Sequence, residues 1–204
     1  MKIALVGTTY PFRGGLAAFN ERLAREFQKE GHEVKIYTFT LQYPSFLFPG
    51  KTQFSTESAP EGLPIERCIN SINPINWLHA GRKIAKGGHD AVIFCYWMSF
   101  MSPCFGTIAR QIRKTGNTKC LSLVHNMMPH EPSILDRILP SFFVHSMQGF
   151  IAMSQSVLSE IALLEKKNTP KAFSPHPIYD HFGERLSREK ALENLQLDSS
   201  FRYV

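Results

Sequence analysis

The sequence predicts an α/β fold of the Rossmann-like class, with helices on both faces of a doubly wound parallel sheet. Two observations predict this class. Short apolar runs rich in β-branched residues alternate about six times with segments that repeat apolar residues at helical spacing. The composition, 43% hydrophobic and 20% charged in 204 residues, suits a folded domain and excludes collagen-like, coiled-coil and disordered chains.

The first half of the chain opens with a predicted strand at residues 2–7, a compact apolar run that ends at a glycine. The helix that follows repeats apolar residues from Leu16 to Phe27, and Gly31 ends it. Residues 42–64 contain four prolines and predict an irregular stretch. Similar patterns predict strands at 34–39 and 65–69 and a helix at 76–86.

Residues 91–109 form an uncharged stretch of nineteen residues, long enough to raise the question of a membrane span. Ser99 and Pro103 interrupt it, so we expect a buried strand at 91–97 and then a new helix with Ser102 as N-cap. The apolar run at the N-terminus is too short for a signal peptide. These features predict a soluble, cytoplasmic protein.

The second half continues the alternation of strands and helices. Residues 187–195 are amphipathic, and residues 201–204 begin like another strand. We therefore expect residues 1–183 to form one domain, and residues 184–204 to be a linker helix and the start of a second domain. The remaining predicted strands are 119–124, 149–152 and 172–174, and the remaining predicted helices are 103–114, 133–143 and 155–166.

The net charge of +6 comes from one basic segment. Between Arg82 and Lys119 there are seven basic residues and one acid, Asp90, and the rest of the chain is balanced. Such a segment suits anionic lipid or a phosphorylated ligand, or else two solvated helix ends, which we favour slightly. We expect no nucleic-acid partner, because no recognition motif accompanies the charge. The basic residues are Arg82, Lys83, Lys86, Arg110, Arg113, Lys114 and Lys119.

The four cysteines contain no C-x-x-C pair, and three of them lie in apolar surroundings. This pattern indicates reduced, buried thiols of a reducing compartment rather than a disulfide framework.

The first candidate site is the loop after the first strand, because ligands of open parallel sheets bind at the carboxyl ends of the strands. The loop has neither the G-x-G-x-x-G dinucleotide motif nor the Lys-Ser/Thr ending of a P-loop. It ends in Gly14 and Gly15, which directly open a helix and would let a phosphate approach the free amides. A turn that needs glycine for its conformation, without a ligand, explains the pair equally well.

The second candidate site follows the strand at 119–124. His125, His130 and Glu131 are placed there for hydrogen bonding or proton transfer. They are unconvincing metal ligands, since no fourth ligand has matching spacing. The third candidate is His176, held extended between two prolines, for which a linker is the stronger alternative.

Four segments in order resemble the N-terminal domain of the family 4 glycosyltransferases, over essentially the whole chain. The first is a strand and loop that lead into a helix, and the others follow later strands. They are Lys2-Ile-Ala-Leu-Val-Gly with Arg13-Gly14-Gly15-Leu16 and Gly31-His32-Glu33-Val34; His125-Asn126 with Pro129-His130-Glu131; Ile151-Ala152-Met153-Ser154; and His176-Pro177-Ile178-Tyr179-Asp180.

The resemblance implies the N-terminal half of a two-domain GT-B enzyme. Such an enzyme is retaining and metal-independent, takes a nucleotide-sugar donor held mostly by its second domain, and needs no cofactor. It implies that Gly14 and Gly15 approach the donor diphosphate and that His125 contacts the donor sugar as a catalytic residue. Without a second domain, the chain would be inactive. Acceptor contacts are expected from Tyr10, Arg13, Tyr96, His130 and Glu131.

The implied role is sugar transfer to a glycan or lipid-linked acceptor in bacterial cell-surface polysaccharide synthesis. A lipid-linked acceptor suggests peripheral contact with the inner membrane face, with Phe46–Phe48 inserted and the basic segment on anionic headgroups. Two alternatives stay open. A nonenzymatic Rossmann-like ligand-binding domain would bind fully without a second domain, and a sugar-nucleotide epimerase of related architecture would need more acids near the strand ends.

Overall fold

The computed structural model describes residues 1–44, 52–128, 134–177 and 184–203. Its strands form a parallel seven-stranded sheet in the order β3-β2-β1-β4-β5-β6-β7, which confirms the predicted fold class. The strands are β1 (Lys2–Val6), β2 (Glu33–Leu41), β3 (Ile65–Asn70), β4 (Ala91–Tyr96), β5 (Lys119–Val124), β6 (Phe150–Ala152) and β7 (Lys171–Phe173).

The helices lie on both faces of the sheet, because the strands bury both of their faces. In β1, Ile3 and Leu5 join one buried cluster with Phe19, and Ala4 and Val6 join the larger cluster on the other side. The helices are α1 (Gly15–Lys29), α2 (Pro74–Lys86), α3 (Ser102–Arg113), α4 (Ile134–Val144), α5 (Gln155–Leu164) and α6 (Arg188–Leu195).

The strand order reverses between β1 and β4, since the chain adds β2 and β3 on one side and β4 to β7 on the other. The loops after β1, β4 and β5 therefore meet at the carboxyl ends of neighbouring strands, hereafter the carboxyl edge. This is the position where open α/β sheets bind ligands. The opposite end of the sheet is called the amino edge.

The start of α3 differs from the prediction. A short 3₁₀ turn, Ser99–Met101, precedes the helix, so that Met101 rather than Ser102 occupies the N-cap and no side chain caps it. The Ser102 hydroxyl instead shares a hydrogen bond of 2.8 Å with the Tyr96 hydroxyl. Among the described helices, none is long and apolar enough to cross a membrane.

The end of the chain is a helix as predicted, but α6 buries none of its residues. Residues 201–203, which precede the last residue, form no strand, so the expected strand start at 201–204 is not seen in the part described. Of the four cysteines, Cys95, Cys104 and Cys120 are buried free thiols, as predicted.

The basic segment lies at the amino edge, where α2 and α3 end. Lys83 and Lys86 are in the last turn of α2, and Arg110 and Arg113 are in the last turn of α3, which agrees with the helix-end explanation. Several of these charges have partners: Lys83 pairs with Glu66, and the Arg110 guanidinium lies 3.9 Å from the ring centroid of Phe142.

Residues 46–48, which were expected to insert into a membrane, lie outside the described residues. Their described neighbours Tyr43 and Gln53 are at the carboxyl edge, joined by a hydrogen bond of 3.3 Å from Gln53 Nε2 to the Tyr43 carbonyl. The length of the sheet thus separates these neighbours from the basic segment.

Candidate functional site

The N-terminus of α1 opens at the carboxyl edge through two exposed glycines, Gly14 and Gly15. Gly14 is the N-cap, with φ 113° and ψ 174° and without a capping side chain. This backbone region is almost restricted to glycine. The first turn of α1 contains no acidic residue, so its free amides and the positive end of the helix dipole are not neutralised there. The predicted phosphate-accepting glycines therefore occupy a suitable place.

Two side chains of α1 hold the loop that precedes it. Glu21 Oε1 accepts hydrogen bonds from Thr9 Oγ1 at 2.7 Å and from the Tyr10 amide at 2.8 Å. The buried Asn20 donates from Nδ2 to the Thr8 carbonyl at 2.8 Å. Neither residue was predicted from the sequence. The signal that could have found them is an amide and a carboxylate on successive positions directly after Ala17, Ala18 and Phe19.

A cleft of about 750 Å³ lies beside this loop, between α1 and the segment 54–61. Tyr10 and Arg13, two predicted acceptor contacts, both line it together with Gly14. Two backbone bonds fix its far wall: the Arg13 amide donates to the Gln53 carbonyl at 3.0 Å, and the Ser55 amide donates to the Pro11 carbonyl at 2.8 Å. We call this space the α1 cleft.

His125 follows β5 at the carboxyl edge, and its ring is mostly buried. Its amide donates to the Tyr96 carbonyl at 2.9 Å, and its ring meets that of Phe19 edge-on with 4.7 Å between centroids. The Nε2 atom is buried and has no hydrogen-bond partner in the described part of the chain. Burial, with a contribution from His176, lowers the pKa of His125 to about 4. The ring is thus neutral at pH 7, and Nε2 is a buried polar atom whose hydrogen-bonding capacity is not used within the described chain.

His176 joins the same group of rings. Its centroid lies 5.0 Å from Phe19 and 5.7 Å from His125. Its Nδ1 donates to the Pro177 carbonyl at 3.3 Å, and the side chain is exposed. The sequence favoured a linker for His176, but the chain brings its imidazole to the carboxyl edge.

Tyr96 does not reach the site. Its side chain is 0% exposed and stacks on Phe143 at a centroid distance of 4.3 Å. Its hydroxyl is already bonded to Ser102 and its ring is covered by Phe143, so the structure places Tyr96 in the core and not among the acceptor contacts. The neighbouring Trp97 also packs, since its Nε1 donates to the Tyr43 hydroxyl at 2.7 Å.

His130 and Glu131, the other expected acceptor contacts, lie outside the described residues. Among those that are described, no group of three His, Cys, Asp or Glu residues could hold a metal ion.

Comparisons with solved structures find glycosyltransferases. MurG of Acinetobacter baumannii aligns with a TM-score of 0.50 at 13% identity, over 84% of this chain and 44% of MurG. An α-glucosyltransferase in complex with UDP and a 13-mer DNA aligns with a TM-score of 0.53 at 12% identity, over 87% of this chain and 43% of that one. The same kind of enzyme with UDP-glucose and DNA containing an abasic site gives 0.51 at 12% identity, over 84% and 42%.

This chain therefore spans less than half the length of each of these three structures. No protein-family model and no curated protein matches the sequence. At such low identities the likeness concerns the fold. The chain has a Rossmann-like fold consistent with one half of a two-domain GT-B architecture.

Proposed function

We propose that the chain is the N-terminal, acceptor-side domain of a retaining glycosyltransferase that uses a nucleotide-sugar donor. The observation that carries the proposal is the shared position of two unsatisfied groups. The open N-terminus of α1 at Gly14 lies at the carboxyl edge, as does Nε2 of His125, which has no hydrogen-bond partner among the described residues. The likeness to glycosyltransferases in fold supports it.

In the proposed reaction, the donor diphosphate lies against the amides of Gly14 and Gly15. A helix N-terminus stabilises negative charge, and this charge grows on the leaving diphosphate as the bond to the anomeric carbon breaks. The acceptor hydroxyl attacks that carbon from the same face and forms the new glycosidic bond. Its proton goes to the leaving phosphate, so neither a metal nor a protein base is required.

His125 serves the sugar end of this site. Because its pKa is lowered to about 4, the ring stays neutral and can hydrogen-bond a sugar hydroxyl through Nε2. The aromatic edge contact with Phe19 fixes the ring plane, so this nitrogen does not turn away from the carboxyl edge.

The α-glucosyltransferase structures hold UDP or UDP-glucose together with DNA. The nucleotide in those proteins supports a nucleotide-sugar donor here. For the acceptor we propose a glycan or a lipid-linked sugar of bacterial cell-surface polysaccharide synthesis and no nucleic acid. Cytoplasmic location with peripheral contact to an anionic membrane through the basic segment belongs to the same proposal.

The test is donor turnover by the natural full-length protein. We expect release of nucleoside diphosphate from one member of a panel of UDP-, GDP- and ADP-sugars. His125→Ala should lower this release about a hundredfold or more, while Glu30→Ala, an exposed change at the end of α1, should preserve it. Equal release by wild type and His125→Ala, or none from any donor, would remove the proposal.

A further inference from the structure

An exposed aromatic ring stands on one wall of the α1 cleft. The Phe54 side chain is 43% exposed, although phenylalanine is usually buried. Behind it lies Phe12, which is 3% exposed, with 5.4 Å between the ring centroids and 31° between the planes. The two residues form an isolated antiparallel bridge, so the backbone as well as the ring contact holds Phe54 in place. Phe54 is thus a fixed apolar platform that faces solvent.

Polar groups line the same cleft. Glu21 uses Oε1 to hold the loop, and its second oxygen, Oε2, has no hydrogen-bond partner among residues that the structure describes. Tyr10 and Arg13 line the cleft as well. A ligand in the cleft would therefore meet both an exposed aromatic ring and hydrogen-bonding groups.

The charge of the lining restricts the ligand further. Of the described residues that line the cleft, three are glutamates, Glu21, Glu57 and Glu61, and Arg13 is the one cation. This described lining has a net negative charge, in contrast to the basic segment at the amino edge. A phosphorylated sugar is accordingly disfavoured beside the three carboxylates, whereas the diphosphate of the proposed donor lies at the Gly14 end of α1.

We propose that the α1 cleft binds a neutral sugar, with one C–H face of the ring on Phe54 and a hydroxyl that donates to Glu21 Oε2. Sugar C–H groups carry slight positive charge and suit the negative face of an aromatic ring. The volume of about 750 Å³ lies within the range of about 300–1,000 Å³ of small-ligand sites, enough for more than one sugar ring. The proposal rests on the proposed function, in which this sugar is the acceptor, and it names Phe54 as the residue that selects it.

The experiment measures binding without any donor. Saturation-transfer NMR on the 204-residue chain uses a panel of neutral methyl hexopyranosides, with glucose 6-phosphate as the anionic comparison. We expect ring C–H signals from at least one neutral glycoside, none from glucose 6-phosphate, and a loss of fivefold or more in Phe54→Ala. Phe54→Trp keeps an aromatic face and should retain the signal.

Phe173 supplies the matched control, because it is also 43% exposed and lies in β7, away from the cleft lining. Phe173→Ala should bind the glycosides like wild type. Absence of binding by every neutral glycoside, binding of the phosphorylated sugar alone, or equal signals from Phe54→Ala and wild type would each overturn the proposal.

The outcome is independent of glycosyl transfer. If the full-length protein consumes a donor but Phe54→Ala binds neutral sugars unchanged, the sugar platform is wrong and the proposed function stands. If glycosides bind through Phe54 but no donor is consumed, the proposed function fails and the sugar site stands.

Discussion

Two buried histidines lie at opposite edges of the sheet and differ in what their rings contact. His89, at the amino edge, is 8% exposed and shares a hydrogen bond of 3.1 Å between Nε2 and the Tyr37 hydroxyl. His125, at the carboxyl edge, buries an Nε2 that has no partner in the described chain. Burial lowers the pKa of both rings. Burial is therefore common to the two rings, and they differ in whether Nε2 has a hydrogen-bond partner among the described residues.

The polar groups around the two rings also differ in whether they have hydrogen-bond partners. At the amino edge the Lys2 amide donates to Asp90 at 2.7 Å, and the Thr118 hydroxyl donates to the His89 carbonyl at 2.7 Å. At the carboxyl edge, the amides of the first turn of α1 and the Oε2 atom of Glu21 are left for a ligand. These groups at the amino edge bond to one another, whereas those at the carboxyl edge keep donors and acceptors that no described residue uses.

The largest effect is expected from His125→Ala in a protein with the proposed transferase activity. Loss of a positioned polar group should lower turnover by about 10²–10⁴. The melting temperature should fall only modestly, because the ring loses its contact with Phe19 while Nε2 makes no hydrogen bond in the described protein. Steady-state kinetics with thermal unfolding measures both. Normal turnover combined with a large loss of stability would make His125 a core residue like His89.

The second-largest expected effect is the change of the free energy of unfolding with pH. The unfolded His125 titrates near 6.5 and the folded one near 4, so between these values the unfolded chain alone takes up a proton. We expect the free energy of unfolding to be highest above pH 7, to fall as the pH drops through 6.5, and to level off below about 4. The total loss is on the order of 3 kcal/mol. Urea unfolding at several pH values measures it. If the free energy of unfolding of His125→Gln fell with pH as steeply as that of wild type, the pH dependence would not come from His125.

His89→Ala tests the other half of the comparison. The change leaves the buried Tyr37 hydroxyl without its partner, and we expect a loss of about 2 kcal/mol in the free energy of unfolding with normal turnover. Tyr37→Phe breaks the same bond but leaves both rings in place, so it opens no cavity and should cost less. A drop in turnover with intact stability in His89→Ala would erase the distinction between the edges.

The smallest effect is expected from Gly15→Val. A side chain at the first residue of α1 should keep a phosphate away from the amides and weaken donor binding about tenfold, with little effect on folding. Calorimetry with the full-length protein measures the affinity. Gly14→Val is a poorer test, because the φ of 113° at Gly14 adds backbone strain to any side chain. Unchanged donor affinity in Gly15→Val would favour a purely conformational role for the glycine pair.

The sequence predicted most of the fold because the period of apolar residues is a local signal. The strand at 119–124 and the helix that begins at Gly15 could be located from neighbouring residues alone. The sequence could not predict which residues from distant segments come into contact. Phe12 with Phe54, and His125 with His176, become neighbours only when the sheet forms.

Burial explains why the acceptor contact expected from Tyr96 is wrong. Tyr96 ends a strand as a ligand-binding aromatic would, yet the 3₁₀ turn after β4 brings Ser102 over its hydroxyl and Phe143 covers its ring. Position along a strand predicts the edge at which a side chain lies. It does not predict which later segment covers that side chain.

The hydrogen bonds from Asn20 and Glu21 to the loop before α1 also bear on how this site forms. They join residues only 11 or 12 positions apart. Closing so short a segment costs little chain entropy compared with the long-range pairings of the sheet. We therefore expect the loop to take its native shape early in folding, as soon as α1 packs on β1, so that the end of the cleft beside Gly14 exists before the sheet is complete.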